Sequence, residues 1–98
     1  IRTLVDRMVE VPDVESVAAM RALSQLLGRR VGPSTGTNFV AMLALAHEMR
    51  ARSERGSILS LLCDAGERYL PTYCDAGWVE RSFGDCTAAQ QKIDALLP

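Results

Sequence analysis

Two short segments of the chain combine residue types that could bind a ligand. The first, residues 32 to 38, reads Gly-Pro-Ser-Thr-Gly-Thr-Asn, and its small residues would let a ligand approach the backbone closely. Its hydroxyls, together with the free N–H groups of a helix that begins here, could hold a polar or anionic group. Hydroxyl residues at a helix start more often serve as caps, so this segment alone indicates no particular ligand.

The second segment, residues 63 to 70, reads Cys-Asp-Ala-Gly-Glu-Arg-Tyr-Leu and places a thiol, a carboxylate and a flexible glycine after an apolar run. The Asp64 carboxylate could act as an acid, although an aspartate in such a place more commonly caps a turn. The Cys63 thiol could be reactive, or it could pack as a small apolar side chain, which is the commoner role. These residue types allow chemistry without specifying it.

The elements before the first segment are a strand and a helix. The period-two pattern of residues 5 to 11 predicts a half-buried strand, which Pro12 ends. Asp13 is a suitable N-cap for a helix over residues 14 to 27, where apolar side chains recur at three- and four-residue spacing. Gly28 stands where a left-handed residue commonly ends a helix.

The later elements continue the alternation of strands and helices. A short strand near residues 29 to 31 precedes a helix from Asn38, which is apolar on every face at first and should be buried. The apolar run from Ile58 to Leu62 predicts a central parallel strand. Further helices or turns are predicted near residues 67–70, 76–81 and 87–97. The fold class is therefore α/β, with a partial parallel three-layer sheet in βαβαβ order plus C-terminal helices. Ligands of such sheets bind beyond the strand ends, where both segments would lie.

Composition and charge exclude several classes of partner. Apolar residues are 48% of the 98 residues and the formal net charge is −1, so the chain is globular and has no field that would gather nucleic acid or an anionic membrane. Three scattered cysteines and a single histidine predict neither a disulfide framework nor a metal site. These features indicate a reducing, cytoplasmic environment.

Taken together and in this order, the two segments resemble the Gly-x-Ser-Ser-Gly-Ala and Asp-Ser-Gly-Glu-Arg-Tyr-Leu motifs near the C-terminus of cysteine synthases and their β-synthase relatives. The resemblance extends from Val5 to Trp78 and leaves the tail after Gly84 uncovered. The Ser-Thr-Gly-Thr-Asn and Leu-Leu-Cys-Asp variants look similar to those of actinobacterial cysteine synthase-like and cysteine desulfhydrase enzymes.

The resemblance implies a site for pyridoxal 5'-phosphate within a tryptophan synthase β-like fold of type II. Ser34 matches the serine that hydrogen-bonds the pyridine nitrogen in this family, and Cys63 stands beside the ring where many members carry proline. A neutral hydroxyl leaves the ring a weaker electron sink than an aspartate would, which favours β-elimination and β-replacement. Residues 1–84 are then the C-terminal part of the cofactor-binding domain and residues 85–98 a helical tail.

The family's catalytic lysine, its phosphate-binding loop and its substrate-carboxylate segment have no match in this sequence. Lys92, the single lysine of the chain, lies in the last predicted helix, so no residue here is assigned to catalysis. The isolated chain is expected to be inactive and to need the N-terminal part of the enzyme.

The resemblance further implies a homodimer that acts on an amino acid such as O-acetylserine, serine or cysteine. Whether cysteine would be made or degraded stays open. The alternative is a truncated, non-catalytic relative that serves as an interaction or regulatory piece.

Overall fold

Four α-helices make up the regular structure of the part of the chain that the structure describes. The structure is a computed structural model and describes residues 7 to 97. The helices are α1 (Asp13–Leu27), α2 (Pro33–Ala51), α3 (Ala76–Phe83) and α4 (Thr87–Leu96), and a 3₁₀ turn (Gly66–Tyr69) lies between α2 and α3. Within this part of the chain, no helix is long and apolar enough to cross a membrane.

Helix α1 forms where the apolar spacing predicts it. It ends at Gly28, whose φ of 67° is the left-handed conformation expected of this glycine, and the Gly28 N–H donates to the Ser24 carbonyl. The start of the helix differs from the prediction, because Pro12 rather than Asp13 is the N-cap residue. Asp13 is instead the first helical residue, where its carboxylate interacts favourably with the helix dipole.

Helix α2 begins at Pro33 and not at Asn38, where the sequence pattern places its start. Proline suits the first helical position because its ring fixes φ near the helical value and because the N–H it lacks would have no partner inside the helix. The earlier start places Ser34 and Thr35 in the first turn of α2 instead of in a preceding loop.

The contact between α1 and α2 is close because the facing residues are small. Ala18, Ala19 and Ala22 of α1 are buried in a cluster to which both α2 and α4 contribute. A β-carbon at Gly36 of α2 would collide with the carbonyl oxygen of Ser16, so the two backbones approach as closely as only a glycine allows. The hydroxyls of Ser16 and Thr37 form a 2.7 Å hydrogen bond across the same contact, which satisfies both polar groups.

Helices α3 and α4 cover the other sides of α1. Ile93 of α4 is completely buried in the cluster that α1 and α2 form, and Val79 of α3 packs with Val17 of α1 in a second cluster. Three aromatic side chains pack around the second cluster, namely Tyr73, Trp78 and Phe83. Helix α4, which lies in the C-terminal tail of residues 85–98, is therefore part of the hydrophobic core.

The predicted parallel sheet is wrong for the described part of the chain, which contains helices and one isolated antiparallel bridge between Val31 and Ala65. Residues 58 to 62 form no strand, and Leu59 is 95% exposed. Residues 7 to 11 likewise form no strand, and residues 1 to 6 lie outside the described part. An apolar run is compatible with a buried strand, yet a strand also needs a neighbour to pair with its N–H and C=O groups.

The α1–α2 contact can be tested with Gly36→Ala. The added methyl group meets the Ser16 backbone, which cannot rotate away, so the helices must separate. We expect a loss of about 1–3 kcal/mol in the free energy of unfolding, although alanine is the better helix former. Urea denaturation followed by circular dichroism measures it.

Gly56→Ala is the matched control, since a methyl group there would meet only the flexible Met49 side chain. We expect it to change the unfolding midpoint little. An unchanged midpoint in Gly36→Ala would contradict the close contact of α1 and α2.

The start of α4 gives a prediction about pH. The Thr87 hydroxyl and backbone N–H both donate to the Asp85 carboxylate, and these hydrogen bonds lower the pKa of Asp85 from its ordinary value. A carboxyl group with a lowered folded-state pKa stabilises the fold above its unfolded pKa, and this contribution is lost as the pH falls through the folded value. Asp85→Asn should therefore be less stable than the parent near neutral pH, and the difference in urea midpoint should narrow in acid. An equal difference at both pH values would contradict this role.

Candidate functional site

The second segment folds back over the N-terminus of α2 and is held there by backbone hydrogen bonds. The Gly32 N–H donates to the Asp64 carbonyl at 3.2 Å, and the Gly66 N–H donates to the Arg30 carbonyl at 3.3 Å. A β-carbon at Gly66 would lie 2.8 Å from the backbone of both Arg30 and Val31, so glycine is required at this crossing. The two segments that the sequence singles out thus form one site.

A side chain of α2 adds a third connection between the segments. The Cys63 N–H donates to the Thr35 hydroxyl at 2.9 Å, and the Thr35 side chain is almost fully buried. The Asn38 amide, one turn further along α2, donates to the Leu61 carbonyl at 3.3 Å and lies 3.7 Å from the Cys63 sulfur. Thr35 and Asn38 therefore fix the residues that lead into the second segment.

The Asp64 carboxylate stabilises the turn that follows it. It accepts a hydrogen bond from the Tyr69 hydroxyl at 2.9 Å and pairs with the Arg68 guanidinium at 3.2 Å. The bond to Asp64 raises the pKa of Tyr69 above its ordinary value, because the phenol donates to a carboxylate. The Tyr69 ring covers Gly32, where a β-carbon would approach the ring to 2.8 Å. Asp64 thus has the structural role of a turn residue.

Ser34 and Cys63, the two residues that the family resemblance assigns to the cofactor, both belong to the surroundings of the Thr35–Cys63 hydrogen bond. Ser34 precedes Thr35 in the first turn of α2, and both Ser34 and Cys63 are exposed. Within residues 7 to 97, the Ser34 hydroxyl has no hydrogen-bond partner. A ligand at this surface could therefore reach a hydroxyl, a thiol and the N-terminal end of α2 together.

The pyridoxal ring fits the Ser34 side of this surface in chemical terms, since a free hydroxyl can pair with the ring nitrogen. Lys92 lies elsewhere, because its ammonium group is bound 3.1 Å from both carboxylate oxygens of Glu15 at the α1–α4 contact. The site as described therefore offers a partner for the ring and no amine for the cofactor aldehyde.

An apolar groove of about 290 Å³ adjoins the site. It is lined by Thr35, Phe39 and Met42 of α2, by Leu23 and Leu27 of α1, and by residues 58 to 62. Leu61 and Leu62 of this segment are 72% and 55% exposed. A larger, more polar recess of about 510 Å³ lies at the start of α4, away from Ser34 and Cys63.

Sequence reasoning missed Thr35, Asn38 and Tyr69 as members of the site. All three lie within the two segments, and this position in the sequence is the signal that could have identified them as site residues. Their partners were not predictable from spacing, because Thr35 and Cys63 are 28 residues apart and meet only in the folded chain.

Comparisons with known proteins agree with the motifs. The chain is 53% identical over 76 residues, 78% of its length, to the L-cysteine desulfhydrase Cds1 of Mycobacterium tuberculosis. It is 41% identical over 84% of its length to a putative pyridoxal-phosphate dependent protein of Caenorhabditis elegans, and 36% identical over 67% to cysteine synthase B of Pseudomonas aeruginosa.

These matches cover 21%, 20% and 21% of the three relatives, so the chain spans about a fifth of their length. No family model matches the chain, and no solved structure matches it. The sequence similarity, together with the two motifs that form one site, confirms the resemblance: the chain belongs to the pyridoxal-phosphate-dependent cysteine synthase family.

Proposed function

We propose that the chain is the C-terminal portion of a pyridoxal-phosphate enzyme of cysteine metabolism that performs β-replacement or β-elimination. The single observation that carries this proposal is the position of Ser34, an exposed hydroxyl without a partner in the described residues, next to the Thr35–Cys63 connection. The similarity to a cysteine desulfhydrase and to cysteine synthases supports the reaction class. The substrate would be an amino acid such as O-acetylserine, serine or cysteine.

Ser34 and Cys63 contribute one wall of the proposed site. The Ser34 hydroxyl pairs with the pyridine nitrogen, and Cys63 packs beside the ring. When bound, the cofactor supplies the electron sink for chemistry at the β-carbon of the amino acid. The contribution of this chain is to orient the ring and to leave its nitrogen with a neutral partner.

The remaining groups of the proposed site come from the N-terminal part of the same enzyme. The amine that binds the cofactor aldehyde must lie within bonding distance of it, whereas Lys92 is bound to Glu15. The groove beside residues 58 to 62 supports this arrangement, because its exposed leucines present an apolar surface adjoining the site. We further propose a cytoplasmic homodimer, with residues 1–84 in the cofactor domain and residues 85–98 as its tail.

The same exposed leucines also favour the alternative function of a non-catalytic interaction piece, which would use the groove to bind a partner. Cofactor binding distinguishes the two functions. Pyridoxal 5'-phosphate added to the chain together with the N-terminal part of the enzyme should give the absorbance band of the protein-bound cofactor, and the chain alone should not. No band in the combined sample would favour the interaction piece. If the chain alone gives the band and Lys92→Ala loses it, the conclusion that Lys92 does not bind the cofactor would be contradicted.

Ser34→Ala tests the ring contact in the complete enzyme. Loss of one hydrogen bond to the ring nitrogen should weaken cofactor binding roughly five- to tenfold. Titration with pyridoxal 5'-phosphate, followed by absorbance, measures the change in Kd. Ser57→Ala is the control, because Ser57 is an exposed serine of the loop after α2. Equal affinities in the parent and Ser34→Ala would refute the assigned role of Ser34.

A further inference from the structure

The Thr35 hydroxyl holds the backbone of Cys63 and not its side chain. The bond joins the Cys63 N–H to the Thr35 oxygen at 2.9 Å, and Thr35 is 2% exposed, so water does not compete strongly for this acceptor. The position of the residue is thereby fixed whatever side chain it carries. Ser34, the residue before Thr35 on the helix, is exposed.

Asn38 holds the same segment from one turn further along α2. Its amide nitrogen donates to the Leu61 carbonyl at 3.3 Å and lies 3.7 Å from the Cys63 sulfur, within the range of a weak hydrogen bond to sulfur. The side chain thus contacts both the backbone before Cys63 and the thiol itself. Residues 58 to 62 have no strand partner in the described part of the chain, so these bonds replace the support that a sheet would give.

We propose that Thr35 and Asn38 are positioning residues that hold Cys63 against the part of α2 that carries Ser34 and so determine how the pyridoxal ring is held. The inference rests on the proposed function. Neither residue touches the reacting atoms. Thr35 sets the backbone position of Cys63, and Asn38 sets the direction of its thiol.

Thr35→Val and Thr35→Ser test the first part. Valine has nearly the shape of threonine but no hydroxyl, whereas serine keeps the acceptor. We expect Thr35→Val to increase the hydrogen-exchange rate of the Cys63 amide about tenfold and to weaken binding of pyridoxal 5'-phosphate by the complete enzyme about tenfold. In Thr35→Ser, we expect both quantities to stay close to their values in the parent. Thr72→Val is the matched control, because the Thr72 hydroxyl has no hydrogen bond within residues 7 to 97.

Asn38→Ala tests the second part and keeps the proposal falsifiable if Thr35→Val does not fold, since Asn38 is only half-buried. We expect a helical circular dichroism spectrum equal to that of the parent, a shifted absorbance maximum of the bound cofactor and a changed rate of Cys63 alkylation, measured by mass spectrometry with Cys74 as internal reference. A purely structural role would leave the absorbance maximum unchanged.

The outcomes separate the two proposals. If the parent enzyme binds no pyridoxal 5'-phosphate, the proposed function fails, whatever the variants do. If the parent binds it and both Thr35→Val and Asn38→Ala retain its affinity and spectrum, the cofactor function stands and the positioning role is refuted. Loss of affinity in Thr35→Val with no recovery in Thr35→Ser would also refute the role of the hydroxyl.

Discussion

The close approach of α1 and α2 at Gly36 is the constraint on which the rest of the structure depends. With no side chain at Gly36, the first turn of α2 lies against the Ser16 carbonyl, and the Ser16–Thr37 hydrogen bond holds it in register. The first two turns of α2 carry Thr35 and Asn38, whose side chains hydrogen-bond to Cys63 of the second segment. A displacement of α2 would therefore move the whole site.

Two neighbouring residues in the first turn of α2, Ser34 and Thr35, have different roles. Successive residues of a helix point about 100° apart, so Ser34 and Thr35 face different surroundings. Thr35 is buried and bonds to the chain, whereas Ser34 is exposed and available to a ligand. Because α2 begins at Pro33, both residues lie within the helix, and helical geometry gives their side chains these different directions.

The predictions that succeeded depend on local signals. Helical spacing and Gly28 determine α1, and both act within a few residues of the elements they specify. The sheet prediction failed at residues 58 to 62, because an apolar run carries no information about whether a partner strand pairs with it. The two segments were expected to lie together at the strand ends of one sheet, and in the described part of the chain they lie together without that sheet. The Thr35–Cys63 bond joins residues that are 28 positions apart, and no local spacing indicates it.

Residues 58 to 62 are held less firmly than the helical core. The core clusters are built by the helices, with Val17 and Ile93 fully buried, whereas this segment is held to α2 by a few hydrogen bonds and is largely exposed. Local openings that break few buried contacts cost less free energy than global unfolding. Residues 58 to 63 can therefore detach from α2 while the helices remain folded, and the molecule would then lose the shape of its ligand surface with hardly any change in its helical content.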